Sequence, residues 1–233
     1  MDLSPLRDLV DASPLWAIGL AVGFGFLAIY LGLAGLSCWL TRRVLPARGI
    51  GQLIDGRALA PGQIVGEIRR SLVSIAIFAA YGVVTVAAER AGWVTFIWDP
   101  TPLRMVSDLV LLFLWNEVHF WCCHRLLHVP WLYRRVHVVH HRSVVPTPFT
   151  TYSFHWIEAT LLSSVMLLLL LVWPLDIVAI IVFPLISLVA NSIGHMNYAV
   201  FPDKGHDDLL AACQRHTAHH TRVTGNYGFY LPW

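Results

Sequence analysis

From Ala12 to Leu40 the chain carries no charged residue. A run of that length is enough to cross the hydrocarbon of a bilayer, which takes about 20 apolar residues in a helix. This constrains the fold more than any other feature. Gly19, Gly23, Gly25, Gly32 and Gly35 lie inside the run, at spacings that let a neighbouring helix approach closely. The rest of the chain agrees: 57% of its 233 residues are hydrophobic and only 13% charged, with a mean hydropathy of +0.63. That is too apolar for an ordinary soluble domain. The net charge of +2 and the absence of a Lys/Arg run give no reason to expect nucleic acid as a partner. The first residues are acidic (Asp2, Asp8 and Asp11 against Arg7), unlike the basic start of a secretory signal.

Five spans are expected, at about residues 14–40, 71–89, 103–123, 157–173 and 177–194. They form one domain over 1–233, an all-α integral membrane bundle of four to five transmembrane helices. The third is the most polar, because Asp108, Glu117 and His119 fall inside it, and ionisable groups within a span are functional candidates by default. Residues 142–156 contain Pro146 and Pro148 and cannot form one helix; they read as an extended linker. Ala159 to Leu175, which includes the run Met166 to Leu171, is apolar all round and reads as lipid-facing. Cys122-Cys123 reads as a pair of small buried residues. The arginines set the orientation. With the loop 41–70 inside, only Arg7, Arg90 and Arg104 of the sixteen basic residues lie outside. Every histidine group then falls on the inner side, in segments 124–156 and 195–233.

Those histidines carry the chemistry. His124 and His128 are one helical turn apart and share a face. His137, His140 and His141 share another, and His216, His219 and His220 repeat the same spacing. With histidine at 12 of 233 positions, one such triplet is expected by chance roughly 0.03 times in a chain of this length. Neutral imidazole is the commonest protein ligand for metals, and eight of them exceed the needs of a single ion. Two ions are expected, held in a cytosolic, histidine-rich helical cap. Glu117 lies seven residues before His124, close to the same helix face, and reads either as a partner or ligand of the metal centre or as an interhelical hydrogen bond. His119 points away from that face.

These pieces resemble the fatty acid hydroxylase/sterol desaturase superfamily of membrane proteins. The matching residues are Glu117, the box from His124 to His128, the triplets His137/His140/His141 and His216/His219/His220, His155 with Glu158, Gly194-His195-Met196-Asn197, and Asn226-Tyr227-Gly228. They run in the family's order from residue 117 to the end. The resemblance implies a non-haem diiron site that uses dioxygen and two electrons to hydroxylate or desaturate a lipid, whether sterol, fatty acyl or related. It implies nine metal ligands: His124, His128, His137, His140, His141, His195, His216, His219 and His220. Around them, Glu117, His155, Glu158 and Asn197 are expected as supporting residues. Zinc is an alternative occupant of an all-imidazole site in purified protein. The chain has no nucleotide fingerprint and no iron–sulfur cysteine set, so electrons are expected from a separate small cytochrome or ferredoxin with its reductase. Arg134, Arg135 and Arg142 could dock such an acidic partner or anchor to lipid headgroups. The sequence departs from the family at Trp156, where proline is usual after the histidine. It also departs at Trp233, beyond which the family continues with an acidic and aromatic segment; the chain reads as truncated or as lacking its last cytosolic strap. A metal-binding member with impaired catalysis and a metal-ion transporter are the rival readings; ligands at the bilayer midplane would mark the transporter.

Overall fold

A computed structural model describes residues 2–232. A short amphipathic helix, α1 (Ser4–Ala12), lies ahead of α2 (Leu15–Trp39), which loosens into a π-type turn over Leu40–Val44 and runs on to Ala47. Then come α3 (Gln63–Arg90), α4 (Pro102–Leu127), α5 (Trp156–Leu170), α6 (Ile177–His195) and α7 (Ala212–Arg222). The helix through Leu15–Ala47, α3, α4 and α6 are long and apolar enough to cross a membrane. Large apolar side chains such as Trp16, Phe24, Val73, Val110 and Ile181 are exposed on the flanks of these helices, as lipid contact requires and water disfavours. Between α2 and α3 the backbones come close: a Cβ on Gly19 would sit 3.0 Å from Val83 Cγ2. Gly25, Gly32 and Gly35 have open space instead, so only part of the glycine pattern serves packing.

Two expected spans differ in extent. The second begins at Gln63 rather than near 71, so Glu67, Arg69 and Arg70 belong to the helix; Glu67 is completely buried and saturated with hydrogen bonds. The fourth, α5, has 15 residues, about 22 Å of helix, short of the roughly 30 Å hydrocarbon thickness. It ends at the turn before Pro174. Of the stretch 159–175 expected to face lipid, Leu168 and Leu171 are exposed, but Ala159, Leu169, Leu170 and Leu175 are buried, with Leu169, Leu170 and Leu175 in one cluster with Phe96 and Leu112. Cys122 is exposed rather than buried. The linker 142–156 is not one helix, but it is no loose connection either: Thr147 and Thr150 form a capping box around the 3₁₀ turn Pro148–Tyr152, and most of the segment is buried.

Two short strand pairs join the loops at the two ends of the bundle. At one end β2 (Phe96–Ile97) runs parallel to β3 (Leu175–Asp176). Asp108 closes this end by accepting from Arg104 Nε and from the Asp176 N–H, both at 2.8 Å, while Asp176 caps α6 through Val178 N and Ala179 N. At the other end β1 (Gln52–Leu53) runs antiparallel to β4 (Tyr198–Ala199). Gly51, at φ +69°, allows that approach; a Cβ there would lie 2.3 Å from the Ala199 carbonyl. Asp108 therefore serves architecture, and the histidine segments gather at the β1/β4 end.

Candidate metal centre

Nine histidines converge in two groups. His124, His128, His137, His141 and His219 form one; His140, His195, His216 and His220 form the other. In each group the nitrogens that could bind an ion lie within 4.8 Å of one another. The helices dictate the sharing. His124 ends a turn of α4 and His128 caps that helix. The segment 130–141 continues through Pro130–Leu132, a π-type turn over Tyr133–His137 and Val138–His141, so His137 and His141 face one group while His140 faces the other. α7 divides its triplet in the same way, with His219 on one side and His216 and His220 on the other. His195 at the end of α6 completes the second group.

The ring orientations suit cations. Five rings make their Nδ1–H contact outward: His124 to the Tyr227 carbonyl at 3.0 Å, His219 to Gly225 O at 2.6 Å, His137 to Glu158 Oε1 at 2.9 Å, His195 to Asn191 O at 2.8 Å and His220 to Ser143 O at 3.0 Å. A neutral imidazole that donates from Nδ1 presents a lone pair at Nε2. These Nε2 atoms meet one another inside the groups: His216 and His195 at 2.8 Å, His216 and His220 at 3.2 Å, His128 and His219 at 3.2 Å, His137 and His141 at 3.1 Å. His195 and His220 have both committed their proton elsewhere, and His216 has at most one to share between them. Lone pairs packed this closely are satisfied by a shared cation, so the donor set fits a metal in each group. Burial also keeps the rings neutral. It pushes the proton affinity of His219 down to a pKa of about 4; with the neighbouring His219, it takes His128 to about 3 and His141 to about 2. His137, His140, His216 and His220 are driven well below the ordinary imidazole value, first by burial and then by neighbouring rings.

Between the groups lies a small cavity, walled on its apolar side by Phe120, Leu127, Phe154 and Leu162 and open to histidines of both groups. Glu158 also lines it; its Oε2 has no hydrogen-bond partner, though the residue is buried.

The other expected supporting residues lie outside the clusters. Glu117 accepts from the N–H groups of Tyr230 (3.0 Å) and Leu231 (3.2 Å), holding the segment whose Tyr227 carbonyl orients His124. His155 caps α5, its Nδ1 accepting from Ile157 N. Asn197, at φ +52°, braces the loop before α3: it accepts from Asp55 N and donates to Asp55 O, both at 2.9 Å. His119 pairs with Ser164 Oγ at 3.1 Å, away from both groups. The carbonyls of Ser143, Asn191, Gly225 and Tyr227 escaped the sequence reading, since a backbone oxygen leaves no signal in residue identity. Glu67 had one: a carboxylate on an apolar helix, matched by the hydroxyl-rich run from Ser143 to Ser153. Arg134, Arg135 and Arg142 are exposed beside the second histidine segment.

The protein is thus a helical bundle with four helices long and apolar enough to cross a membrane and, at one end, two histidine clusters that could each hold a metal ion. The model of the fatty acid hydroxylase family matches residues 109–233, and the chain belongs to that family. Among curated proteins it is 28% identical to a Delta(7)-sterol 5(6)-desaturase of Aspergillus fumigatus over 206 residues, covering 74% of this chain and 61% of the relative. A Delta(7)-sterol 5(6)-desaturase of Leptosphaeria maculans is 28% identical over 175 residues, covering 71% and 47%. The lathosterol oxidase of Mus musculus is 31% identical over 128 residues, covering 54% and 42%. The chain spans about half the length of the curated relatives it matches. No solved structure matches it significantly.

Proposed function

We propose that this chain is a membrane-bound non-haem diiron oxidoreductase that hydroxylates or desaturates a lipid, using dioxygen and two electrons. The observation that carries this reading is the pair of all-histidine clusters flanking a cavity with apolar walls. Iron in both clusters would supply dioxygen activation next to an unactivated C–H bond. The protein's own part is to hold neutral imidazole lone pairs in place, through the five Nδ1–H anchors, and to line the reaction space with Phe120, Leu127, Phe154 and Leu162. These walls would shield the C–H bond from water and would have to part to admit a hydrocarbon chain. Sterol chemistry among the relatives supports a lipid substrate.

The clusters sit at the ends of α4 and α6 rather than midway along them, which disfavours a transport path through the membrane. With the arginine-rich segment 41–70 in the cytosol, the same end would face soluble reductants. Electrons would arrive from a small cytochrome or ferredoxin, with Arg134, Arg135 and Arg142 as its docking charges. A cysteine replacing Arg48, in a background without Cys122, should label only from the cytosolic side; labelling from outside would reverse this orientation.

The direct test is metal per chain by elemental mass spectrometry, on full-length protein purified in mild detergent from iron-supplemented cells. About two irons per chain are expected. Two zincs would keep the cage and leave the oxygen chemistry to be shown after iron reconstitution. Less than one metal of any kind would leave a metal-free histidine cluster and end the enzyme reading.

A further inference from the structure

We propose that Glu67 is a positioning residue for the four-histidine cluster, acting through the buried strap 143–154. Glu67 lies one turn into α3, is completely buried, and touches no histidine in any hydrogen bond. A carboxylate on a membrane-flanking helix is costly unless its oxygens are satisfied. Here four side chains converge on it. Gln63 Nε2 and Ser143 Oγ each donate to Oε1 at 2.7 Å, Thr150 Oγ1 donates to Oε1 at 3.0 Å, and Thr147 Oγ1 donates to Oε2 at 2.5 Å. Three of the four belong to the strap. Gln63 also donates to the Val145 carbonyl at 2.9 Å, and one turn beyond Glu67, Arg70 donates to Ser153 Oγ at 2.8 Å.

The strap in turn touches two of the four histidines and reaches a third through Asn191. The Ser143 carbonyl takes the Nδ1–H of His220. The Phe154 ring lies 5.0 Å from that of His140. Asn191, whose own carbonyl takes the Nδ1–H of His195 at 2.8 Å, donates from Nδ2 to Thr151 O at 3.4 Å. Among the described residues the five-histidine cluster takes its Nδ1 anchors elsewhere, from Tyr227, Gly225 and Glu158. A carboxylate serves better than a hydroxyl at position 67 because it alone can accept four hydrogen bonds at once without needing a proton donor of its own. Fixed hydrogen-bond partners of metal-binding imidazoles commonly set affinity by about 10- to 100-fold, and Glu67 fixes the backbone that provides one. The role rests on reading the four-histidine cluster as a metal site.

The test is a cobalt(II) titration of the full chain in detergent, followed by visible absorption. His220→Ala identifies the bands that belong to the four-histidine cluster. Glu67→Ala is expected to weaken cobalt binding there by about tenfold, to leave the remaining bands within about twofold of wild type, and to be partly rescued in Glu67→Gln, which keeps one of the two acceptor oxygens. Should Glu67→Ala fail to accumulate, Thr147→Val carries the test by removing the single donor to Oε2, with the same selectivity and a smaller shift. Titrations that superimpose on wild type, or that weaken equally at both clusters, overturn the assignment. A wild type that takes up no cobalt overturns the metal-site reading and the role of Glu67 with it; a wild type that loads both clusters beside an unchanged variant overturns the role of Glu67 alone.

Discussion

The five-histidine and four-histidine clusters are made of the same side chain, yet different parts of the chain hold them. The first draws His124 and His128 from the end of α4 and is oriented by the carbonyls of Gly225 and Tyr227, in the partly exposed segment after α7. The second is buried throughout and is oriented by carbonyls of the strap and of α6. One cluster has a ligand in reserve and an anchoring segment near the surface. The other has none in reserve and an anchor inside the bundle. Equivalent chemistry thus rests on unequal support, and the two sites should fail differently.

The largest effect is expected where there is no reserve. His140→Ala leaves three imidazoles in its cluster, and metal content should fall by about one ion per chain. His219→Ala leaves four in the other cluster, so metal should be retained with weaker affinity. Elemental analysis of the two variants side by side checks this; equal losses would mean that the clusters act as one unit.

Glu158→Gln should come next. Glu158 orients His137 through Oε1, and the amide can still accept at that position while losing the carboxylate's charge. A decrease in metal affinity at the lower end of about 10- to 100-fold is expected, confined to the five-histidine cluster and read by competition with a chelator. A matching decrease in the four-histidine cluster would remove the distinction between them.

Acid should separate the metal-free protein from the loaded one. Folding lowers the pKa of the clustered histidines, to about 4 for His219 and about 3 for His128, from about 6.5 in the unfolded chain. Between those values the unfolded chain binds more protons than the folded one, so stability falls as pH falls. Neutral rings thus favour the folded state fully above about pH 6.5, and that contribution drains away down to the folded values. Thermal unfolding followed by tryptophan fluorescence should be level near pH 7 and decline below about pH 6.5 for the metal-free protein. The loaded protein should hold to lower pH, because bound metal competes with protons. A metal-free profile that stays level to pH 4.5 would mean that the rings are not held neutral.

Much of this architecture is visible in the residues themselves. Uncharged runs mark α2 and α6, and the i, i+3, i+4 spacing marks which histidines can meet, because helical geometry turns spacing directly into direction. What spacing cannot encode is which of two ions a ring faces. His140 and His141 are neighbours in sequence, about 100° apart around their helix, and belong to different clusters. Asn197 and His155 stand in family-like positions but serve turns and caps, since short-range hydrogen bonding uses the same residue types as a metal's outer partners. The helical start at Gln63 was hidden because the charges at 67, 69 and 70 look like a loop until the donors that meet Glu67 are known.

The smallest effect is expected at His119, and it sharpens the comparison because the residue shares a helix with His124. Five residues separate the two, which turns the His119 ring about 140° away from that of His124 around the axis. There it pairs with Ser164 on α5 and has Cys123 Sγ 3.7 Å from its Nε2. His119→Ala should therefore cost about 1 kcal/mol of stability, the worth of one hydrogen bond, and leave metal content unchanged. Loss of metal from the five-histidine cluster in this variant would mean that the packing of α4 against α5 sets the placement of His124. The cluster would then depend on the bundle as deeply as its neighbour does, and the contrast between a surface-anchored and a core-anchored site would not stand.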